Sequence, residues 1–363
     1  MRSTIGGFVL KNFLLLTLTA ALAVGVVWPD AGAAASQCNL QSFGVIAIFM
    51  ISGLQLKQGE ALKALQAAGS VIYGLSSILL LGPLVLAPAI LASPLEPSAL
   101  KLGLAVFACM PTSLSSGIAM TQTAGGNVAL AILLTVASNL LAVATLPLLL
   151  PRALAGGGAA QQLVGPNSSG TCSMQLDPAA LLMQLLAMVL APTVFGACAR
   201  VFIPGVAAAV DKNKVVVSCL SSLILAAVPW MQISRAMTAG GASGFSLYAV
   251  IVCGACGAAL HAFQLAFNTV MCKALGLGGR EEKQATPIRK AVVLLTSQKT
   301  LPVAVTIIGK LGASMGDAAA GYASMTVVIA HLSQIMINCR QEDVEVEGNQ
   351  VLQLTYRVTC LQS

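Results

Sequence analysis

The chain is 363 residues long, 57% hydrophobic and only 9% charged, with a mean hydropathy of +0.88. A soluble domain carries roughly 25% charged side chains, so a water-soluble fold is excluded, and aromatics at 4% rule out an aromatic core as the explanation. The formal charge of +7 comes without a basic stripe interleaved with aromatics, which argues against nucleic acid as a partner and leaves the lipid bilayer.

In chain order, ten apolar runs read as transmembrane helices: 12–29, 41–56, 67–92, 100–121, 126–150, 179–204, 215–234, 246–272, 288–308 and 321–339. None alternates with period two, and most exceed the length of a buried strand, so helices are the natural reading. Fourteen Lys and Arg residues fall on one side of this arrangement and four on the other, with Lys299 inside the ninth run completing the 19. That asymmetry places both termini in the cytoplasm. Arg2, Lys11 and the apolar stretch to Val27 also fit a cleaved signal peptide. Cleavage would put the termini on opposite sides, so a retained first span is preferred. No long Ser/Arg-rich organellar leader is expected within the sequence.

The expected fold is an all-α polytopic membrane protein with ten transmembrane helices arranged as two inverted five-helix repeats. Residues 1–150 form the first repeat, 151–178 an outer linker loop, 179–340 the second repeat, and 341–363 a cytoplasmic polar tail. The linker holds Gly156-Gly157-Gly158 and the sequon Asn167-Ser168-Ser169, and with Cys38 it supplies Cys172 as an outer-face cysteine able to pair. A faint internal echo aligns Ser138-Asn139 with Ser333-Gln334 at an offset of 195. An odd number of spans per half would make such repeats inverted.

Polar groups concentrate in two runs. In the fourth, Cys109-Met110-Pro111-Thr112-Ser113-Leu114-Ser115-Ser116-Gly117 interrupts a helix at mid-depth. Proline removes a helical hydrogen bond and frees carbonyls, which persist in a membrane only when another group, water or an ion satisfies them. A kinked helix whose hydroxyls bond back to their own carbonyls is one reading; a broken helix that binds an ion or substrate is the other. The ninth run repeats the pattern with Thr296-Ser297-Gln298-Lys299-Thr300-Leu301-Pro302. A lysine at the centre of a span costs about 2.5–3.5 kcal/mol on insertion scales. All twelve Asp and Glu residues lie in predicted loops or tails, so Lys299 must face a polar cavity, bind an anion or sit among freed carbonyls. In the tenth run His331 and Gln334 share a helix face that Asn338 extends, while Asn127 and Asn139 flank the fifth. His261 reads as a packing histidine. The cysteines, including Cys109, Cys253 and Cys256, have no metal-ligand spacing and read as small apolar residues.

Paired interrupted helices and a buried lysine suit a transporter. An enzyme would need a nucleophile or metal constellation, which the spans lack. A non-transporting membrane regulator is the remaining alternative.

The segments Phe49-x-x-Ser-Gly-Leu-x-Leu-Lys57, Cys109-Met110-Pro111 with Ser115-Ser116, Gly125-Gly126-Asn127, Ser297-Gln298-Lys299-Thr300-Leu301-Pro302 and His331 to Gln334 carry a resemblance. Together they resemble the sodium/bile acid cotransporter family (bile acid:sodium symporters), in its divergent branch with vertebrate member seven and bacterial, fungal and plastid relatives. The resemblance implies a panel of spans 1, 2, 6 and 7 against a core of spans 3–5 and 8–10, with helices 4 and 9 broken and crossing. It implies sodium at Ser113, Ser115, Asn127, Thr296, Gln298 and Gln334. Pro111, Thr112, Ser116, Lys299, His331 and Asn338 are the candidate residues for a small organic anion. Gln298-Lys299 departs from the acidic, amide-rich sequence of the better-known carriers, so Lys299 replaces the sodium ion, contacts the substrate, or is a structural lysine that snorkels to a polar surface. The branch also implies, as an alternative, a role in calcium homeostasis; it leaves a homodimer open, and a plasma membrane, endomembrane or plastid envelope as the location.

Overall fold

The computed structural model describes residues 13–38, 40–56, 67–113, 116–155, 177–238, 247–279 and 281–360, all of them helix, turn or irregular chain. The glycine-rich linker, the sequon, Cys172 and Ser115 lie outside the described residues. In chain order the helices are α1 Phe13–Val27, α2 Pro29–Gln37, α3 Leu40–Gln55, α4 Ala68–Ala92, α5 Ser98–Cys109, α6 Ser116–Thr123 and α7 Val128–Ala155. There follow α8 Pro178–Phe202, α9 Val206–Lys212, α10 Lys214–Thr238, α11 Leu247–Ala274, α12 Glu282–Ser297, α13 Leu301–Met315 and α14 Asp317–Cys360.

Ten full crossings in two inverted repeats of five, as a panel and a core, are not what the chain builds. Among the described residues, seven spans are long and apolar enough to cross a bilayer, or eight if the bent pair α1–α2 counts as one. The reason is geometric. A crossing needs about 20 helical residues, whereas α3 has 16 and α5 only 12. The first apolar run turns by 99° between α1 and α2, where Pro29 cannot continue the preceding helix. Apolar length in sequence therefore overstated the number of straight crossings.

Helices α1, α2, α3, α8 and α10 pack mainly on one another with the short α9 beside them, and the rest gather around α12–α13 and α14. Every residue of α5 is buried, and α12–α13 is the most enclosed span. By contrast α11 exposes Tyr248, Ile251, Phe263 and Val270 on one side, the side that lipid covers. Lipid tails are as apolar as leucine, so helices here gain from close backbone approach at small residues rather than from hydrophobic exclusion. The pair Gly53 and Gly196 shows this between α3 and α8. A Cβ on Gly53 would collide with the Thr193 carbonyl oxygen, and one on Gly196 with the Met50 carbonyl oxygen.

Overpacking at such a contact costs about 1–3 kcal/mol. Gly53→Leu and Gly196→Leu should each lower the thermal unfolding midpoint of the detergent-solubilised protein. Gly69→Leu, where no atom lies within 4 Å, should leave it unchanged; equal midpoints for all three would contradict the crossing.

Candidate functional site

Two helix interruptions meet inside the bundle. At the first, α5 stops at Cys109 and Met110 turns to extended backbone with φ −69° and ψ 151°, followed by irregular chain through Ser113. At the second, α12 stops at Ser297, and Gln298 and Thr300 are extended with ψ 131° and 136°. Pro302 then sits in the first turn of α13, where a missing N–H costs nothing because helix-start donors have no intrahelical partner. The interruptions touch directly: the Thr300 N–H donates to the Pro111 carbonyl at 2.9 Å.

Each interruption is held by an amide side chain from the second helix after it. Gln334 on α14 pairs with both backbone groups of Lys299, accepting from its N–H at 3.1 Å and donating to its carbonyl at 2.8 Å. The second Gln334 N–H points at His331 Nδ1, 2.7 Å away. His331 Nδ1 is therefore the acceptor, and a neutral ring carries its proton on Nε2. That nitrogen is buried and makes no hydrogen bond within the protein. At the other interruption, Asn139 on α7 donates to the carbonyls of Thr112 at 3.0 Å and Thr135 at 2.8 Å. Both amide protons are thereby used, so the free Asn139 atom is its oxygen. The Asn139 oxygen and the hydroxyls of Thr112 and Thr135 are buried without a partner in the protein.

Further oxygens converge beside these. Ser113 Oγ and Ser116 Oγ lie 2.5 Å apart, and Ser116 Oγ is 3.3 Å from Gln298 Oε1. The Gln298 amide nitrogen meets only a weak acceptor, the Met120 sulfur at 3.1 Å. Lys299 is 1% exposed, and its ammonium donates to the Ile78 carbonyl of α4 at 3.2 Å. Among the described residues no carboxylate pairs with it; the ion pairs are Lys101–Glu96, Arg200–Asp211 and Arg235–Asp317.

The structure thus brings together Pro111, Thr112, Ser113, Ser116, Gln298, Lys299, His331 and Gln334. Two expected ion ligands stand apart. Asn127 accepts the Leu130 N–H at 3.0 Å as a cap on α7, and its own N–H bonds Pro287. Thr296 bonds back to the Val292 carbonyl at 2.8 Å. Asn338 lies at one remove, its Oδ1 3.1 Å from His261 Nε2.

The sequence reading passed over several groups that belong here. His261 Nδ1 lies 3.1 Å from the Ser297 carbonyl at the end of α12, so this histidine supports the second interruption instead of merely filling space. One and two turns along α11, Gln264 and Asn268 are buried as well, and the Asn268 oxygen accepts from Tyr73 at 2.8 Å and Ser77 at 2.7 Å on α4. The signal was present as polar residues at i, i+3 and i+7 in an apolar run. Among the described residues no group of three or more His, Cys, Asp and Glu side chains is placed to hold a metal.

Replacing Gln334 with methionine removes the pairing while nearly keeping the volume. A buried backbone group left bare costs about 1–3 kcal/mol, and Lys299 would have two. Gln334→Met should therefore unfold at clearly lower temperature than the parent; an unchanged midpoint would show that Lys299 finds other partners.

Residues 12–339 match the family model of the SBF-like CPA transporter family (DUF4137). The chain is 36% identical over 338 residues to the "Probable sodium/metabolite cotransporter BASS4, chloroplastic" of Oryza sativa subsp. japonica, a match spanning 92% of this chain and 75% of the rice protein. It is 37% identical over 332 residues to the Arabidopsis thaliana protein of the same name, spanning 91% and 72% of the two chains. Joined to the long apolar helices, these matches make the molecule a multi-pass integral membrane protein of a transporter lineage, not of an enzyme lineage.

Proposed function

The chain belongs to the SBF-like CPA transporter family and is accordingly a secondary active transporter, and we propose that it carries a small organic anion on Lys299 together with a sodium ion at the first interruption. The observation that carries this reading is the sorting of unsatisfied groups. Around the first interruption the buried side-chain atoms without partners are oxygens, on Thr112, Thr135 and Asn139, beside the oxygen cluster of Ser113, Ser116 and Gln298. Hard cations take oxygen ligands, so these residues fit sodium, which would supply the positive charge they lack. Around the second interruption stand the Lys299 ammonium and the unpartnered His331 Nε2–H, both donors. The start of α13 adds backbone N–H groups and the positive end of a helix dipole. Donors without acids favour a carboxylate-like anion.

In the competing arrangement, Lys299 would take the place of the sodium ion. Its ammonium would then bond the oxygens of the first interruption, whereas its hydrogen bond goes to the Ile78 carbonyl of α4. That contact supports a site with room for both charges. Sodium in the printed name of the rice and Arabidopsis relatives supports it independently. Those relatives are also named as chloroplastic, so an organellar envelope is the membrane this kinship favours.

Reconstituted vesicles decide the matter, with labelled benzoate, succinate and cholate as carboxylate probes and an imposed sodium gradient. The wild type should accumulate at least one carboxylate, faster with inward sodium. Losing the charge in Lys299→Gln should reduce uptake at least tenfold, the scale of one charge-assisted hydrogen bond of roughly 1.5–3 kcal/mol. Ser116→Ala should mainly raise the sodium concentration needed for half-maximal rate. Uptake confined to inorganic cations would sink the anion reading, and carboxylate uptake indifferent to sodium would sink the coupling.

A further inference from the structure

Within α4, residues Ser77–Leu86 are wound as a π-helix containing Pro83. At its end the Ala87 N–H bonds the Gly82 carbonyl, five residues back. In that register the donor for the Ile78 carbonyl would be the nitrogen of residue 83, and proline has no hydrogen there. The Ile78 carbonyl is therefore an acceptor whose π-register partner the sequence has removed, in a residue with no exposed surface. The Lys299 ammonium fills that gap from across the bundle, at 3.2 Å. Gly82 fixes the approach: a Cβ there would collide with the Ala108 carbonyl oxygen and come within 2.9 Å of Cys109 Cα, so α4 is pressed against the end of α5 beside the first interruption.

We propose that Pro83 makes the Ile78 carbonyl a resting position for the Lys299 ammonium in the substrate-free carrier, from which an arriving carboxylate draws it away. The inference rests on the anion reading above and adds residues that reading does not use. A lone neutral carbonyl is a weaker partner for an ammonium than a carboxylate, because the carboxylate adds the attraction between two full opposite charges. Substrate therefore wins the competition, but its apparent affinity is lowered by the fraction of carriers in which the lysine is parked. The parked lysine has a second effect. After releasing substrate, the carrier must return empty, and an ammonium buried without any acceptor would make that step costly. Parking shields the charge and speeds the empty return. Exchange of bound anion for bound anion never requires the empty carrier to reorient and does not need the resting position for that step.

Pro83→Ala tests this because it restores the missing N–H, which then competes with Lys299 for the Ile78 carbonyl. With whichever of benzoate, succinate and cholate the wild type takes up best, the variant should bind about three- to tenfold more tightly, following the loss of the parked fraction. Its net uptake at saturation should fall several-fold, while exchange in vesicles preloaded with the same carboxylate should stay at the wild-type rate. Displacing the ammonium strips a buried charge of its acceptor, so the thermal midpoint should fall in Pro83→Ala and should fall less when the same change is made in Lys299→Gln. In a Lys299→Gln background the same change should alter carboxylate binding no further. Wild-type affinity and net uptake in Pro83→Ala would overturn the proposal, as would an equal effect of Pro83→Ala with and without the lysine. If the wild type itself moves no carboxylate, the anion reading fails and takes this inference with it. A wild type that transports beside an unaffected Pro83→Ala fails the resting position alone.

Discussion

A backbone carbonyl or amide freed by a helix interruption inside an apolar slab has no water to turn to, and each one left bare costs several kcal/mol. The arrangement at the centre of this molecule follows from how that demand is met. Gln334 pairs with both backbone groups of Lys299, Asn139 caps the Thr112 carbonyl, and Thr300 donates to Pro111. Each rescuing amide comes from the second helix after the interruption in sequence, α7 for the first and α14 for the second. Irregular backbone is tolerated at this depth only because neighbouring helices were built to receive it. The cost is conformational: a rescuing side chain fixed in one geometry leaves its own remaining atoms fixed too.

That secondary effect shapes the chemistry. Because both Asn139 N–H groups are committed to carbonyls, the atom left over is an oxygen. Because Gln334 turns its second N–H to His331 Nδ1, the atom left over on the ring is a donor. The requirement to satisfy the backbone thus distributes the spare polar atoms, oxygens near one interruption and donors near the other. Lys299 falls on the donor side and adds its charge to it. A buried ammonium without a carboxylate is tolerable here because freed carbonyls are the one abundant neutral acceptor, and α4 supplies one at Ile78.

Much of this was legible residue by residue, and the rest was not for physical reasons. The polar stretches that begin at Pro111 and end at Pro302 mark where α5 ends and where α13 begins, because proline and consecutive hydroxyls disfavour a continuous helix in any surroundings. The number of crossings was misjudged because hydropathy counts apolar residues and is blind to the 99° turn before Pro29 and to the shortness of α3 and α5. Asn127 and Thr296 carry the right atoms for an ion, and in this structure those atoms make a helix cap and a back-bond to Val292, local contacts that a sequence does not reveal. The Ile78 contact could not be read directly, since a backbone carbonyl has no letter in the sequence. Only its cause is written there, as Gly82-Pro83 in the middle of an apolar run.

The single backbone hydrogen bond from Thr300 to Pro111 has a particular consequence for coupling. It joins two extended segments that have few other ways to satisfy their polar groups, so neither can shift far without the other. An ion drawing in the oxygens of Thr112 and Ser113 would pull on the residues directly following Pro111, and hence on Thr300 and its neighbour Lys299. An anion drawing the Lys299 side chain from α4 would act on the same link from the other direction. Coupling between two ligands is a shared free energy, felt equally by each. A short, obligatory bond between the two sites is a more economical carrier of that energy than a rearrangement of whole helices, because breaking it exposes two buried polar groups at once. On the proposed function, helices α5, α12 and α13 would move as a unit about this link, and α4, held to it through Lys299 and pressed on it through Gly82, would be the neighbour that registers the anion.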